Sequence, residues 1–323
     1  MLLKHGFFYH PFQYPAIKSN QYMAGFLITL IGAILFSTKA IIVKLAFAHT
    51  TIDALTLLTL RMAFSLPFYV AAAWIGSSRS ERPRFTKRQW IYIISLGLFG
   101  YYLSSLFDFV GLRYVSAGLE RLILFLYPTF AVLINVWFFK ESISRLQQFA
   151  LALTYVGIGI AYFGEVKIDG SSGDIYWGSF LIFLCAITYS IYIAGSGRMV
   201  KQVGPTKFTA YAMLAATGGI FMHFILAGNY AQLSQVGDSW YYGLLLALIA
   251  TVIPTFMLSA GMKLIGTNNV AIISAIGPVS TILQAHWILG EPIFGAQIAG
   301  TLLVVIGVIL IGWKSRKNLA ENE

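Results

Sequence analysis

Five charged side chains fall inside long runs of apolar residues: Lys39, Arg61, Asp108, Glu120 and Arg121. A charge at the centre of a membrane helix costs about 2.5–3.5 kcal/mol, so it persists only against a cavity or a partner. The residue types support two readings. In one, Arg61 or Lys39 binds a carboxylate or phosphate, and Asp108 or Glu120 takes a proton or the amine of a zwitterion. In the other, the five form ion pairs that hold helices together, with Lys39 and Arg121 snorkelling outward. Three cations and two anions at similar depth predict one network with a residual charge of +1.

Other residues in the same runs add to this site or frame it. Tyr101, Tyr127 and Tyr192 lie within apolar runs, with Tyr102, Tyr155 and Tyr189. They line a cavity and stack on a planar solute, or they pack with their hydroxyls hydrogen-bonded. Pro128 and Pro278 each remove a helical hydrogen bond and are expected to kink their helices, as hinges or as packing features; Pro67 and Pro254 are placed to do likewise. Glu141 and Glu291 stand where one apolar run gives way to the next and are expected to cap the following helix, Pro292 suiting a first helical position. His223 and His286 are expected to be hydrogen-bonded packing residues.

Reactions that need a metal or a nucleophile find no support. The chain has no HExxH, no Cys–His pair, no Asp-rich metal motif and no Gly-rich phosphate loop, so neither metal nor cofactor is expected, and an embedded enzyme is the weaker alternative. The single cysteine, Cys185, excludes an intrachain disulfide.

The elements that must carry these residues are membrane helices. Of 323 residues, 58% are hydrophobic and 11% charged, with a mean hydropathy of +0.76. Soluble domains carry about 25% charged residues. About 20 apolar residues cross a bilayer, and ten runs qualify: 23–44, 52–75, 90–112, 116–139, 146–164, 175–195, 206–228, 240–262, 268–289 and 292–313. Residues 76–89 and 165–174 are read as the longer loops. Residues 1–22 are read as a cytoplasmic tail without a cleavable signal, Met23 being an alternative start, and 314–323 as a second cytoplasmic tail. With both termini in the cytoplasm, sixteen Lys and Arg lie inside and three (Lys44, Arg113, Lys167) outside. That asymmetry fixes the expected orientation in an inner (plasma) membrane and explains the net charge of +10 without nucleic acid. Small residues at four-residue spacing, Ala212/Ala216 and Ala296/Gly300, permit close helix contact within the bundle or in a homodimer.

The chain repeats itself. A shift of 150 residues places Pro128 on Pro278, Trp137 on Trp287, Glu141 on Glu291, Gln147 on Gln297 and Gly157 on Gly307. A shift of 153 places Gly25 on Gly178 and Ser37 on Ser190. The repeat predicts two halves, 23–164 and 175–313. Five helices per half is an odd number, so the second half enters the membrane from the opposite side, the arrangement of inverted-repeat secondary transporters. The doubled pattern Pro128–Glu141–Gly157 and Pro278–Glu291–Gly307 resembles the EamA-type domain of the drug/metabolite transporter superfamily over about residues 24–313. The resemblance implies a ten-helix membrane fold and solute transport. Arg61 and Lys39, with the resemblance, point to a small anionic or zwitterionic solute such as an amino acid, moved outward by alternating access and driven by a proton or counter-solute. The alternative is export of lipophilic drugs or cations, which suits the tyrosines.

Overall fold

The computed structural model describes residues 19–78, 85–139, 145–169, 173–234, 237–265 and 267–320, all helix or short connection with no strand among them. Helix satisfies every backbone group within its own segment, which an apolar solvent demands. Helices α1 (Ser19–His49) and α2 (Ala54–Ser78) are long and continuous. The next begins at α3 (Lys87–Gly97), where Thr86 and Gln89 form a reciprocal capping box. It widens into a π-helical segment, Leu98–Leu103, before α4 (Ser104–Gly111). Two half-length helices follow, α5 (Ala117–Leu124) and α6 (Tyr127–Phe139), then α7 (Arg145–Asp169) and α8 (Gly173–Val203). Gly204, at φ 87°, turns the chain into α9 (Pro205–Ala227), whose first residue is proline. After the short α10 (Tyr230–Ser234) come α11 (Trp240–Ala247), a π-helical segment Leu248–Val252, α12 (Ile253–Ile265), α13 (Thr267–Ser274), α14 (Gly277–Gln284) and a third π-helical segment, Ala285–Leu289. Gly290, at φ 71°, closes that segment, and α15 (Gly295–Ala320) completes the chain.

Among the described residues, eight stretches are long and apolar enough to cross a membrane: Gln21–His49, Ala54–Ile75, Lys87–Gly111, Ala117–Ile134, Gly173–Ser196, Pro205–Ala227, Trp240–Ile265 and Ile272–Leu289. Gly295–Leu310 is a shorter apolar stretch, and α7 has 25 residues. Large apolar side chains cover the outside of the bundle, with Leu226 79%, Met222 64% and Ile91 66% exposed. Water would not tolerate so continuous an apolar surface; lipid requires it. The chain is a multi-pass membrane protein.

The packing interleaves the two ends of the chain. Helix α1 lies on α12, α2 on α9, α4 and α6 on α8, and α7 on α15. Helices α7 and α15 touch through glycine: a Cβ on Gly157 would lie 2.6 Å from the Gly300 carbonyl oxygen, and one on Gly164 2.6 Å from Ala296 Cβ. Gly97 lies against the backbone of Ala212 in the same way. The small-residue pairs Ala212/Ala216 and Ala296/Gly300 are thus engaged within the chain.

Three expectations need correction. The reading of 165–174 as a loop fails, because α7 runs to Asp169 and Glu165 is a buried helical residue. The prolines do more than kink: α5 stops at Leu124, and Pro128 sits in the first turn of α6, while α13 stops at Ser274 and Pro278 sits in the first turn of α14. Proline loses no helical hydrogen bond in a first turn, so Pro128 and Pro278 each start a new helix, whereas Pro67 lies inside the continuous α2. Glu291 does not cap the helix that follows it, as described below; Glu141 lies outside the described residues. The element limits recur at the 150-residue shift: α5 and α6 start at 117 and 127, α13 and α14 at 267 and 277, and the first two π-helical segments at 98 and 248.

Candidate functional site

The charged residues converge from four helices. Lys39 projects from α1 between Asp108 of α4 and Glu120 of α5, its Nζ 2.6 Å from Asp108 Oδ2 and 3.4 Å from Glu120 Oε1. The three are buried, Asp108 being 1% and Glu120 0% exposed. One cation thus faces two carboxylates, and Asp108 Oδ1 and Glu120 Oε2 have no hydrogen-bond partner among the described residues. Glu120 belongs to the first turn of α5, where the helix dipole favours negative charge. Cys185 of α8 is buried beside the trio.

The arginines stand apart from this trio. Arg61, 4% exposed, donates from Nη2 to Ser105 Oγ at 2.9 Å and lies 5.0 Å from the centre of the Phe109 ring. Ser105 and Phe109 flank Asp108 on α4 at helical spacing. Among the described residues no carboxylate lies within 4.0 Å of the Arg61 guanidinium, and its Nε has no hydrogen-bond partner. Arg121 is also buried; its Nη2 is 3.5 Å from Ser37 Oγ, and its guanidinium lies 5.7 and 5.3 Å from the Phe36 and Phe125 ring centres. A Cβ on Gly277 would come within 2.6 Å of Arg121 Nη2, and Ser37 Oγ is 3.3 Å from the Gly277 carbonyl oxygen. Arg121 therefore joins the α5–α6 break to the α13–α14 break. The expectation of one five-residue network is replaced by a Lys39–Asp108–Glu120 trio and two arginines outside it. The snorkelling expected of Lys39 and Arg121 fails as well, since both end on buried partners.

The tyrosines form a row. Tyr127 meets Tyr189 edge-on with centroids 5.1 Å apart, Tyr189 stacks on Tyr192 at 5.9 Å, and the Tyr192 hydroxyl lies 3.3 Å from that of Tyr101. Tyr101 belongs to the first π-helical segment, where the extra residue in the turn re-aims side chains. Gly100 beside it leaves room for the Tyr192 ring, whose Cδ2 would lie 2.7 Å from a Cβ there. His223 is hydrogen-bonded to the Tyr102 hydroxyl at 3.1 Å.

Glu291 reaches from beyond α14 to the N-terminus of α5, accepting from the Ala117 and Gly118 amides at 3.0 and 3.5 Å. Ser116 accepts from Leu119 at the same helix start. Glu291 thus meets the start of a helix 174 residues earlier in the chain, where the expectation was the helix that follows. Among the described residues no group of three His, Cys, Asp or Glu has the geometry of a metal site.

Sequence reasoning did not place Ser37 or Ser105 at the site. Ser105 stands three residues before Asp108, so helical periodicity places both on one face. Ser37 stood out only as a repeat match to Ser190, which says nothing of its partner Gly277, 240 residues away.

These features define a polytopic membrane protein with buried charge at the meeting point of broken helices. The model of the EamA-like transporter family matches the chain twice, over residues 23–163 and 176–313. The chain belongs to the EamA-like transporter family and is a membrane transporter. It is 29% identical over 293 residues to YcbK of Bacillus subtilis (strain 168), described as an uncharacterized transporter, covering 88% of this chain and 91% of that protein. An uncharacterized transporter of Archaeoglobus fulgidus is 24% identical over 228 residues, covering 68% of this chain and 76% of its own. A solved crystal structure aligns with a TM-score of 0.63 at 20% identity, covering 91% of this chain and 98% of its own, a likeness of fold alone.

Proposed function

We propose that this transporter exports a small anionic or zwitterionic solute, such as an amino acid, by alternating access between two inverted five-helix halves, 23–164 and 175–313, in an inner membrane with both termini cytoplasmic. The observation that carries the solute class is Arg61. Its guanidinium is buried, and no described carboxylate neutralises it within 4.0 Å. A permanently charged group in a low-dielectric setting attracts an anion far more strongly than it would in water. Arg121 repeats the pattern beside the two helix breaks, and the tyrosine row supplies an aromatic face for the rest of the solute. Lys39 is already opposed by two carboxylates and adds no free positive charge.

Alternating access draws support from the recurrence of helix breaks and π-helical segments at a shift of 150 residues, and from the double family match. Discontinuous helices near the membrane centre are where secondary transporters hold their solutes. Asp108 and Glu120, which both face Lys39, are the groups through which proton coupling passes if the drive is a pH gradient; exchange for a counter-solute is the other drive.

The test is thermal unfolding of the detergent-purified protein against amino acids, organic acids, sugar phosphates, nucleosides and cationic drugs. A ligand at 100 times its dissociation constant adds about 2.7 kcal/mol of stability, readily read as a raised midpoint. Carboxylate-bearing compounds are expected to raise the midpoint of the natural protein and not of Arg61→Ala. A rise confined to neutral or cationic drugs, retained in Arg61→Ala, rejects the anion reading in favour of drug or cation export on the tyrosines.

A further inference from the structure

At the end of the bundle where α1 meets α2 lies a cleft of 490 Å³, within the range of small-ligand sites. Lys44, Phe47, Thr50, Thr51, Leu112 and Arg113 are among the residues that line it. It is separate from the central site, yet built on the same two helices. Lys44 stands five residues beyond Lys39 on α1, about 7.5 Å along the helix axis, and Arg113 lies just past the end of α4, five residues beyond Asp108.

The two cations differ from Lys39 in what holds them. Lys44 Nζ donates to the Val115 carbonyl oxygen at 2.8 Å, and Arg113 Nη2 donates to the Ile52 carbonyl oxygen at 2.9 Å. The Arg113 guanidinium also lies 4.8 Å from the centre of the Phe47 ring. Backbone carbonyls and an aromatic face orient a cation without cancelling its charge. An ammonium has three donors and a guanidinium five, so both keep N–H groups for another acceptor. None of the described residues that line the cleft is acidic. Asp53, a short way along the chain, is committed to the start of α2, accepting from the Thr56 amide at 2.7 Å and the Thr56 hydroxyl at 3.1 Å. Thr50 and Thr51 also line the cleft, the Thr50 hydroxyl donating to the Ala46 carbonyl oxygen at 2.6 Å.

We infer that this cleft is a second binding site, which takes an oxyanion (a carboxylate or a phosphate) between Lys44 and Arg113. The shared chemistry has two sources, a free anion from solution and the phosphate of an anionic lipid headgroup. The site stands on the residues of the cleft and does not depend on the charge at Arg61.

Ala48, exposed on the cleft lining, is the reporter position. Ala48→Cys in a Cys185→Ser background is reacted with anionic sulfonate and cationic trimethylammonium methanethiosulfonates in phosphatidylcholine nanodiscs. Thr51→Cys on the same wall provides a second reporter. With every rate expressed relative to that of the same reagent with a free thiol in solution, the anionic reagent is expected to react about tenfold faster. Lys44→Gln with Arg113→Gln is expected to bring the ratio to near unity. Slowing by millimolar succinate or inorganic phosphate assigns the site to a soluble anion. Slowing only when phosphatidylglycerol is mixed into the disc assigns it to a headgroup. The preference is expected to survive Arg61→Ala, so failure of the central anion site leaves this result readable. Equal rates for the two reagents at both reporters, or rates that none of these anions changes, overturn the inference.

Discussion

Lys39 opposes two carboxylates, so the three residues of its trio are not equivalent. Replacing Lys39 with Met leaves Asp108 and Glu120 buried against each other, and breaking such a pair costs about 3–5 kcal/mol. Unfolding in detergent is expected to show a loss of that order for Lys39→Met; stability equal to the natural protein would contradict the ion pairs at 2.6 and 3.4 Å. Asp108→Asn and Glu120→Gln are expected to be milder, because Lys39 keeps one carboxylate in each. Those two variants also test the drive. If protons couple transport, at least one of them removes the response of uptake into proteoliposomes to an imposed pH gradient, and full response in both rejects coupling through these acids.

Individual elements are held by close approach rather than by side-chain volume. Along α7, Gly157 faces α15, where a Cβ would meet the Gly300 oxygen at 2.6 Å and Leu303 Cβ at 2.8 Å. Gly159, two residues on, would meet nothing within 4 Å. Gly157→Ala is therefore expected to lower stability by about 1–3 kcal/mol through overpacking. Gly159→Ala is expected to be neutral or slightly stabilising, since alanine favours helix. Equal midpoints in thermal unfolding would reject the α7–α15 contact. The broken helices follow a different rule. Pro128 and Pro278 begin α6 and α14, and side chains from elsewhere meet backbone groups at these helix starts: Glu291 accepts from the Ala117 and Gly118 amides of α5, and Ser37 donates to the Gly277 carbonyl of α14. Proline showed where the helix changes, while the sequence alone did not show whether the change was a bend or an end. That depended on whether partners existed for the freed backbone groups.

For the whole molecule, the distribution of Lys and Arg predicts both termini in the cytoplasm. In a bacterial host, alkaline phosphatase fused after Glu323 is expected to be inactive, and green fluorescent protein at the same place fluorescent. Active phosphatase there would invert the orientation. The membrane fold was legible from the sequence because lipid imposes one rule on every span, apolar length, and each run such as 52–75 satisfies it locally. The repeat was legible because rare residues such as Trp137 and Trp287 recur at a fixed shift. The identity of the buried charges was legible too, since a cation like Arg61 in an apolar run stands out by its cost. Their pairing was not. Lys39 takes Asp108 and Glu120, Arg61 takes Ser105, and Glu291 takes the amides of Ala117 and Gly118. Such choices join positions up to 174 residues apart. They depend on which helices lie side by side, and that is settled by the packing of complete helix faces in three dimensions.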